Sequence, residues 1–79
     1  MLGKYWAEVI RNTCRRADGD EAVSMVASAA DMLAIAETEF AEETVTVQQI
    51  IDRANQLGPS AGMPYEQVGA AMLDTISFL

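Results

Sequence analysis

Residues 20–41 read DEAVSMVASAADMLAIAETEFA and contain the longest helical pattern of the chain. Its apolar residues recur at alternating steps of four and three positions, which places them along one face of an α-helix. At 1.5 Å per residue, such a helix is about 33 Å long. A seam with this spacing is typical of a coiled coil or an antiparallel helix bundle. The seam consists of Ala22, Val26, Ala29, Leu33, Ala36 and Phe40, and Met25 and Met32 widen it.

Shorter helical patterns lie on both sides of this stretch. Apolar residues at three- and four-residue steps predict an amphipathic helix over residues 2–16. Thr46 and Gln49 form a Thr-x-x-Gln capping box, which predicts the start of a third helix. Gly58 and Pro59 directly after Leu57 predict its end, because glycine and proline favour helix termination.

A fourth helix is predicted from Pro64 to the last residue, because proline suits the first turn of a helix. Asp18, with Glu21 three positions on, is a candidate N-cap for the second helix, and Asp20 is an equally plausible one. Together these patterns predict an all-α fold: a compact antiparallel bundle of about four helices in which the second is the longest. We expect residues 1–79 to form a single helical domain.

The length and composition of the chain limit how it can be stabilised. A core built from 79 residues is marginal on its own, and Cys14, the only cysteine, cannot form an intrachain disulfide. We therefore expect self-association, with a homodimer as the simplest form. The expected contacts are Ala22, Val26, Ala29, Leu33, Phe40, Phe78 and Leu79. A lone thiol without an export signal or a membrane span favours a cytoplasmic location.

Charge is distributed unevenly along the chain. Lys4, Arg11, Arg15 and Arg16 are four of the five basic residues, so the first sixteen positions sum to +3. The other positions sum to −10, because they hold eleven acidic residues and Arg53 as their only basic residue. Such an asymmetry orients a charged partner before contact. We therefore expect a protein partner with a basic surface.

The densest acidic cluster lies at the end of the second helix and consists of Glu37, Glu39, Glu42 and Glu43. Negative charge at a helix C-terminus, and a glutamate pair four residues apart, each cost some tenths of a kcal/mol. Two interpretations stay open. The cluster is either a solvated helix end or a partner-binding surface whose carboxylates pair with arginines or occupy a groove built for nucleic acid.

The residues that usually perform catalysis are few. The chain has no histidine, and Cys14 on the apolar side of the first helix reads as a small buried hydrophobe. The acidic pairs Asp18/Asp20 and Glu42/Glu43 lack the ligand pattern of a calcium loop. We therefore expect no catalytic residue, no cofactor and no metal, and a protein that is not an enzyme.

Nucleic-acid binding is an alternative function. Helix 3, the loop and helix 4 have the outline of a helix-turn-helix, but helix 4 has no lysine or arginine to neutralise phosphates. The only candidate surface is the first helix, where Lys4, Arg11 and Arg15 fall near one face.

In size, acidity and lack of catalytic residues, the chain resembles the small phage-encoded inhibitors of host machinery, such as the anti-CRISPR class. The resemblance covers these gross features and involves no shared motif, so it assigns no site residue. It implies a non-catalytic inhibitor or adaptor that engages a cationic or nucleic-acid-handling protein. Two alternatives are a structural homo-oligomeric subunit and a weak nucleic-acid binder that uses helix 1.

Overall fold

The computed structural model describes residues 1–78, and in this range the chain forms four α-helices. They are α1 (Gly3–Arg16), α2 (Gly19–Thr38), α3 (Val47–Leu57) and α4 (Tyr65–Ser77). Helix α2 packs against the other three helices, and α4 packs against α1 and α3. The predicted all-α bundle with a longest second helix is confirmed. No helix in residues 1–78 has the length and apolar character needed to cross a membrane.

The hydrophobic core lies between the four helices and takes residues from each. Its side chains are aliphatic and aromatic, with four methionines filling the irregular space between the larger groups. Because long apolar side chains from every helix meet here, their burial is the main stabilising contribution to the bundle. The largest contributors are Trp6, Ile10, Met25, Met32, Ile35, Ile50, Ile51, Met63, Tyr65, Val68 and Met72.

The buried face of α2 follows the Met25 and Met32 side of the predicted seam more closely than its Val26 and Leu33 side. Met25, Met32 and Ile35 are buried, whereas Val26 is 51% exposed and Leu33 is half-buried. The predicted and observed faces share Met25, Ala29, Met32 and Ala36, and the structure adds Ser28 and Ile35, so the buried face is turned toward the methionine side of the prediction. The physical reason is that the middle of α2 is apolar on most of its circumference, and burying the larger methionine and isoleucine side chains removes more apolar surface from water.

Helix α2 also ends three residues earlier than predicted, at Thr38 instead of Ala41. The turn that follows it binds the start of α1. The amide of Gly3 donates to the carbonyl oxygens of Phe40 (2.9 Å) and Glu43 (3.0 Å), and the amide of Lys4 donates to Ala41 (3.2 Å). These amides have no acceptor within α1, because the first N–H groups of a helix lack an intrahelical partner. The turn after α2 thus caps α1.

The predicted start and end of α3 are confirmed. Thr46 Oγ1 accepts from the amide of Gln49 (3.2 Å), and Gln49 Oε1 accepts from the amide of Thr46 (2.8 Å), which completes the capping box. The helix ends at Leu57, before Gly58.

The starts of the two remaining helices differ in detail from the prediction. Pro64 directly precedes α4, which begins at Tyr65, and so lies one residue outside the expected first turn. Asp18 occupies the N-cap position of α2, but its side chain makes no capping hydrogen bond.

The loop between α3 and α4 is bonded to α2. The Ser28 hydroxyl, which is buried, donates to the carbonyl oxygen of Met63 and accepts from the amide of Gly62 (3.2 Å). The amide of Met63 donates to the carbonyl oxygen of Ser24 (3.2 Å). A side chain at position 62 would place its Cβ 2.0 Å from that same Ser24 oxygen, so the close approach requires glycine.

Candidate functional site

The predicted acidic cluster lies at the C-terminal end of α2 and in the turn that follows. Glu37 is in the last turn of the helix, Glu39 directly follows it, and Glu42 and Glu43 lie in the turn. All four residues are exposed. The structure therefore brings the four predicted partner-binding residues onto the surface around one helix end.

Three of these four glutamates pair with basic residues of the same chain, whereas Glu43 forms no ion pair within residues 1–78. Exposed ion pairs each contribute about 0–1 kcal/mol, so they are readily exchanged for contacts with another molecule. The surface is thus a mixed-charge patch instead of a row of free carboxylates. The pairs are Arg11 with Glu37, Arg53 with Glu39 at 2.7 Å, and Lys4 with Glu42 at 3.3 Å.

The basic residues of α1, which the sequence placed on one candidate nucleic-acid surface, are largely used inside the chain. Arg11 also pairs with Glu8 (3.1 Å). Arg16 donates to Thr75 Oγ1 (3.1 Å), and its guanidinium lies 4.4 Å from the centre of the Phe78 ring. Arg15 donates to the side-chain oxygen of Asn12. This arrangement weakens the case for α1 as a phosphate-binding helix.

A cleft of about 270 Å³ lies between the second half of α2, the end of α3 and the start of α4. We call it the α2–α3 cleft. Its walls combine apolar side chains with the carboxylates of Asp31 and Glu39. The sequence pattern gave no sign of it, because its residues come from three separate segments. It is lined by Asp31, Ala34, Ile35, Thr38, Glu39, Ala54, Leu57, Gly58, Pro59 and Tyr65.

The Asp31 carboxylate is held in place by the tyrosine that begins α4. Tyr65 is only 3% exposed, and its hydroxyl donates to Asp31 Oδ2 at 2.6 Å. This hydrogen bond, together with burial and the negative charge of Asp31, raises the pKa of Tyr65 to about 12. Asp31 Oδ1 has no side-chain hydrogen-bond partner within residues 1–78, so it remains an acceptor for a ligand.

The raised pKa of Tyr65 predicts a pH-dependent loss of stability. The phenol of an unfolded chain has a pKa of about 10, so the folded state binds this proton more tightly. The stabilisation is fully present below pH 10 and is lost as the pH rises through about 12. In denaturant unfolding between pH 9 and 12, the free energy of unfolding should fall more steeply with pH for the native chain than for Tyr65→Phe. This variant retains Tyr5, so the ionisation of the other tyrosine is present in both proteins. Parallel curves would contradict the Tyr65–Asp31 hydrogen bond.

A second cavity, the α1–α2 groove, is almost entirely apolar and has a volume of about 320 Å³. Two predicted self-association residues, Val26 and Leu33, line it. Ala29 also borders it but is 2% exposed and belongs to the core of the single chain. The groove is lined by Ile10, Arg11, Cys14, Arg15, Val26, Ala29, Ala30 and Leu33.

The other predicted self-association residues lie apart from the groove lining. Ala22 and Phe40 are half-buried in the single chain, and Phe40 packs against the core. Phe78 is exposed. Leu79 lies outside the residues that the structure describes.

Cys14 is half-buried beside the α1–α2 groove. Burial raises the pKa of its thiol, which disfavours the reactive thiolate. This agrees with the interpretation of Cys14 as a small hydrophobe. Within residues 1–78, no three His, Cys, Asp or Glu side chains are grouped so that they could hold a metal ion.

Comparisons with known proteins identify no relative. No protein-family model matches the chain, and neither does any curated protein or solved structure.

Proposed function

We propose that this chain is a non-catalytic protein-binding module, an inhibitor or adaptor that engages a partner with a basic surface. The main observation in support of this proposal is the number of acidic side chains that have no ion pair within the described part of the chain. Four of the twelve acidic side chains form ion pairs, and the other eight are exposed without a basic partner in residues 1–78. They are Asp18, Asp20, Glu21, Asp31, Glu43, Asp52, Glu66 and Asp74.

This unbalanced charge favours a cationic partner for two reasons. Within residues 1–78, Arg15 and Arg16 are the only basic side chains outside ion pairs, so this part of the chain has few cations with which to neutralise its carboxylates. A negative surface also accelerates encounter with a basic protein and fixes the orientation of docking. Inhibition of a nucleic-acid-handling protein, as exerted by phage-encoded anti-CRISPR proteins, fits this proposal, because such proteins present basic grooves to their substrates.

We place the contact on Glu37, Glu39, Glu42 and Glu43. Their internal ion pairs are exposed and weak, so a partner's arginines can replace Arg53 and Lys4 at little cost in free energy. Glu43 is available without any exchange. Because the four side chains surround one helix end, the partner would contact α2 and the following turn.

The test is affinity purification from the native host at low and high salt, followed by identification of the bound protein. We expect one partner whose retention falls steeply as salt rises, because exposed charge contacts are screened. Reversing Glu39, Glu42 and Glu43 to lysine should abolish retention.

The matched control reverses Asp18, Asp20 and Glu21, which changes the net charge equally but at the opposite end of α2. This control should weaken retention far less. Circular dichroism checks that both variants fold. Equal loss in the two variants would contradict the placement of the site, and a partner held equally well at both salt concentrations would contradict the proposed function.

A second candidate function, a structural homo-oligomer, is favoured by the apolar α1–α2 groove and by the exposed Val26 beside it. Sedimentation equilibrium tests it. A dimer that is insensitive to salt and is dissociated by Val26→Lys would support this function, and a monomer at all protein concentrations would exclude it. Val23→Lys, at a more exposed valine of the same helix that lies outside the groove lining, is the comparison variant.

A further inference from the structure

The α2–α3 cleft combines an apolar wall with an acidic end. Ala34, Leu57 and Pro59 supply apolar surface, and Leu57 is one of the most exposed large hydrophobic residues of the chain. Asp31 and Glu39 supply the carboxylates. A long aliphatic stem that ends in a cation matches both parts, because lysine and arginine side chains lay their methylene groups along apolar surface and keep the head group at polar atoms.

Two helix ends add to the negative potential of the cleft. The last turn of α2 contributes Thr38, and the last turn of α3 contributes Ala54 and Leu57. Neither last turn contains a basic residue. The carbonyl ends of both helix dipoles therefore meet at this cavity, where they favour a bound cation. Within residues 1–78, Arg53 is the one basic side chain that pairs with a carboxylate of the cleft lining. It bonds to Glu39, so Asp31 has no ion pair there.

The orientation of the Asp31 carboxylate is fixed by a hydrogen bond within the chain. The buried Tyr65 fixes Oδ2 through a 2.6 Å hydrogen bond, so the orientation of the carboxylate is set before a ligand arrives. A carboxylate held in this way loses less conformational entropy on binding than a free surface side chain. Tyr65 is thus a positioning residue, and Asp31 is the ligand-binding residue.

We infer that the α2–α3 cleft receives the side chain of an arginine or a lysine from the protein partner, with Asp31 binding the cationic head group. This inference deepens the proposed function and rests on it. It adds a site that the acidic cluster at the end of α2 does not contain, apart from Glu39 at the shared edge. Arginine and lysine both meet the requirements of the cleft, because each carries a positively charged hydrogen-bond donor on an aliphatic stem.

The test is a titration of the full chain followed by amide NMR. The probes are N-acetyl-arginine amide, N-acetyl-lysine amide and the neutral N-acetyl-citrulline amide. We expect saturable shifts of the Thr38 and Gly58 amides with one or both cations, at a dissociation constant on the order of 1 mM. The ratio of the two affinities identifies the preferred head group. Equal binding of citrulline, or no saturable shift with either cation, would overturn the inference.

Variants assign the binding to Asp31. Asp31→Asn retains an oxygen that can accept from Tyr65 but removes the charge, and we expect about tenfold weaker binding of the cation. Asp52→Asn, at an exposed carboxylate of α3 outside the cleft, is the matched control and should bind as the native chain does. Tyr65→Phe should cause a smaller loss by freeing the carboxylate. Equal affinities of Asp31→Asn and the native chain would refute the assignment.

The same variants separate this inference from the proposed function. If a salt-sensitive partner is captured equally by the native chain and by Asp31→Asn, the inference is wrong and the proposed function stands. If the cation probes bind through Asp31 but no partner is found, the cleft is a cation site and the proposed function fails.

Discussion

Replacing Gly3 with alanine is expected to lower the free energy of unfolding by about 3 kcal/mol. A Cβ at this position would lie 2.1 Å from the carbonyl oxygen of Phe40 and 2.6 Å from that of Ala36. Both atoms belong to the backbone, so no side-chain rotation relieves the clash. Moving α1 away would break the two hydrogen bonds that the Gly3 amide makes with the turn after α2. Urea denaturation followed by circular dichroism measures the loss.

Gly19→Ala is the control for this prediction. Gly19 has a φ of 64°, and nothing lies within 4 Å of a Cβ built on it. The substitution there introduces only the backbone strain of the left-handed region, about 1–2 kcal/mol. A loss for Gly3→Ala no larger than that for Gly19→Ala would contradict the close packing of α1 on the turn after α2.

Replacing Trp6 with alanine is expected to have an equally large effect, about 3–5 kcal/mol. The indole is 7% exposed, and its Nε1 donates to the carbonyl oxygen of Val45 at 2.7 Å. Alanine removes the buried ring and leaves that carbonyl without its side-chain donor. Trp6→Phe is an intermediate case, because it keeps an aromatic ring but removes the donor and part of the indole volume. We expect it to cost about 1–3 kcal/mol.

Tyr5→Ala tests whether these losses are specific to burial. Tyr5 is the neighbouring aromatic residue but is 54% exposed, so its removal should change stability by no more than about 0.5 kcal/mol. Thermal unfolding by circular dichroism suits all three variants, since it needs no tryptophan. If Tyr5→Ala destabilised the chain as much as Trp6→Ala, the described orientation of α1 would be wrong.

The elements of this fold that are encoded locally were predictable from the sequence. Thr46 and Gln49 form their capping box within four residues, and Gly58 ends the helix that they begin. Their hydrogen bonds and backbone angles depend on neighbouring residues alone. For the same reason the approximate extents of the four helices followed from hydrophobic spacing.

Features that depend on contacts between distant segments were not predictable. Ser28 is buried because its hydroxyl bonds the loop at Gly62 and Met63, more than thirty residues away. The spacing of apolar residues in α2 did not determine which face is buried, because apolar residues occupy most of the helix circumference. The turn after α2 likewise binds the amide of Gly3, which lies far away in sequence.

The candidate site also combines features that were predictable from local sequence with features that depend on distant segments. The presence of four glutamates near one helix end was evident from the sequence, but their pairing was not. Lys4 and Arg53 reach Glu42 and Glu39 only after α1 and α3 have packed on α2. The contact between Asp31 and Tyr65 joins residues 34 positions apart, and no local pattern signals it.

The bonding of the α3–α4 loop to α2 has a consequence for protease digestion. Residues 58–62 are glycine, proline, serine and alanine, a composition that usually marks a segment open to cleavage. Here a protease can unfold the loop into its active site only after the Ser28 and Ser24 bonds break, which exposes part of α2 as well. The segment whose composition most favours proteolysis is therefore protected by its hydrogen bonds to the longest helix. The rate at which a protease digests it should report the local opening of that helix.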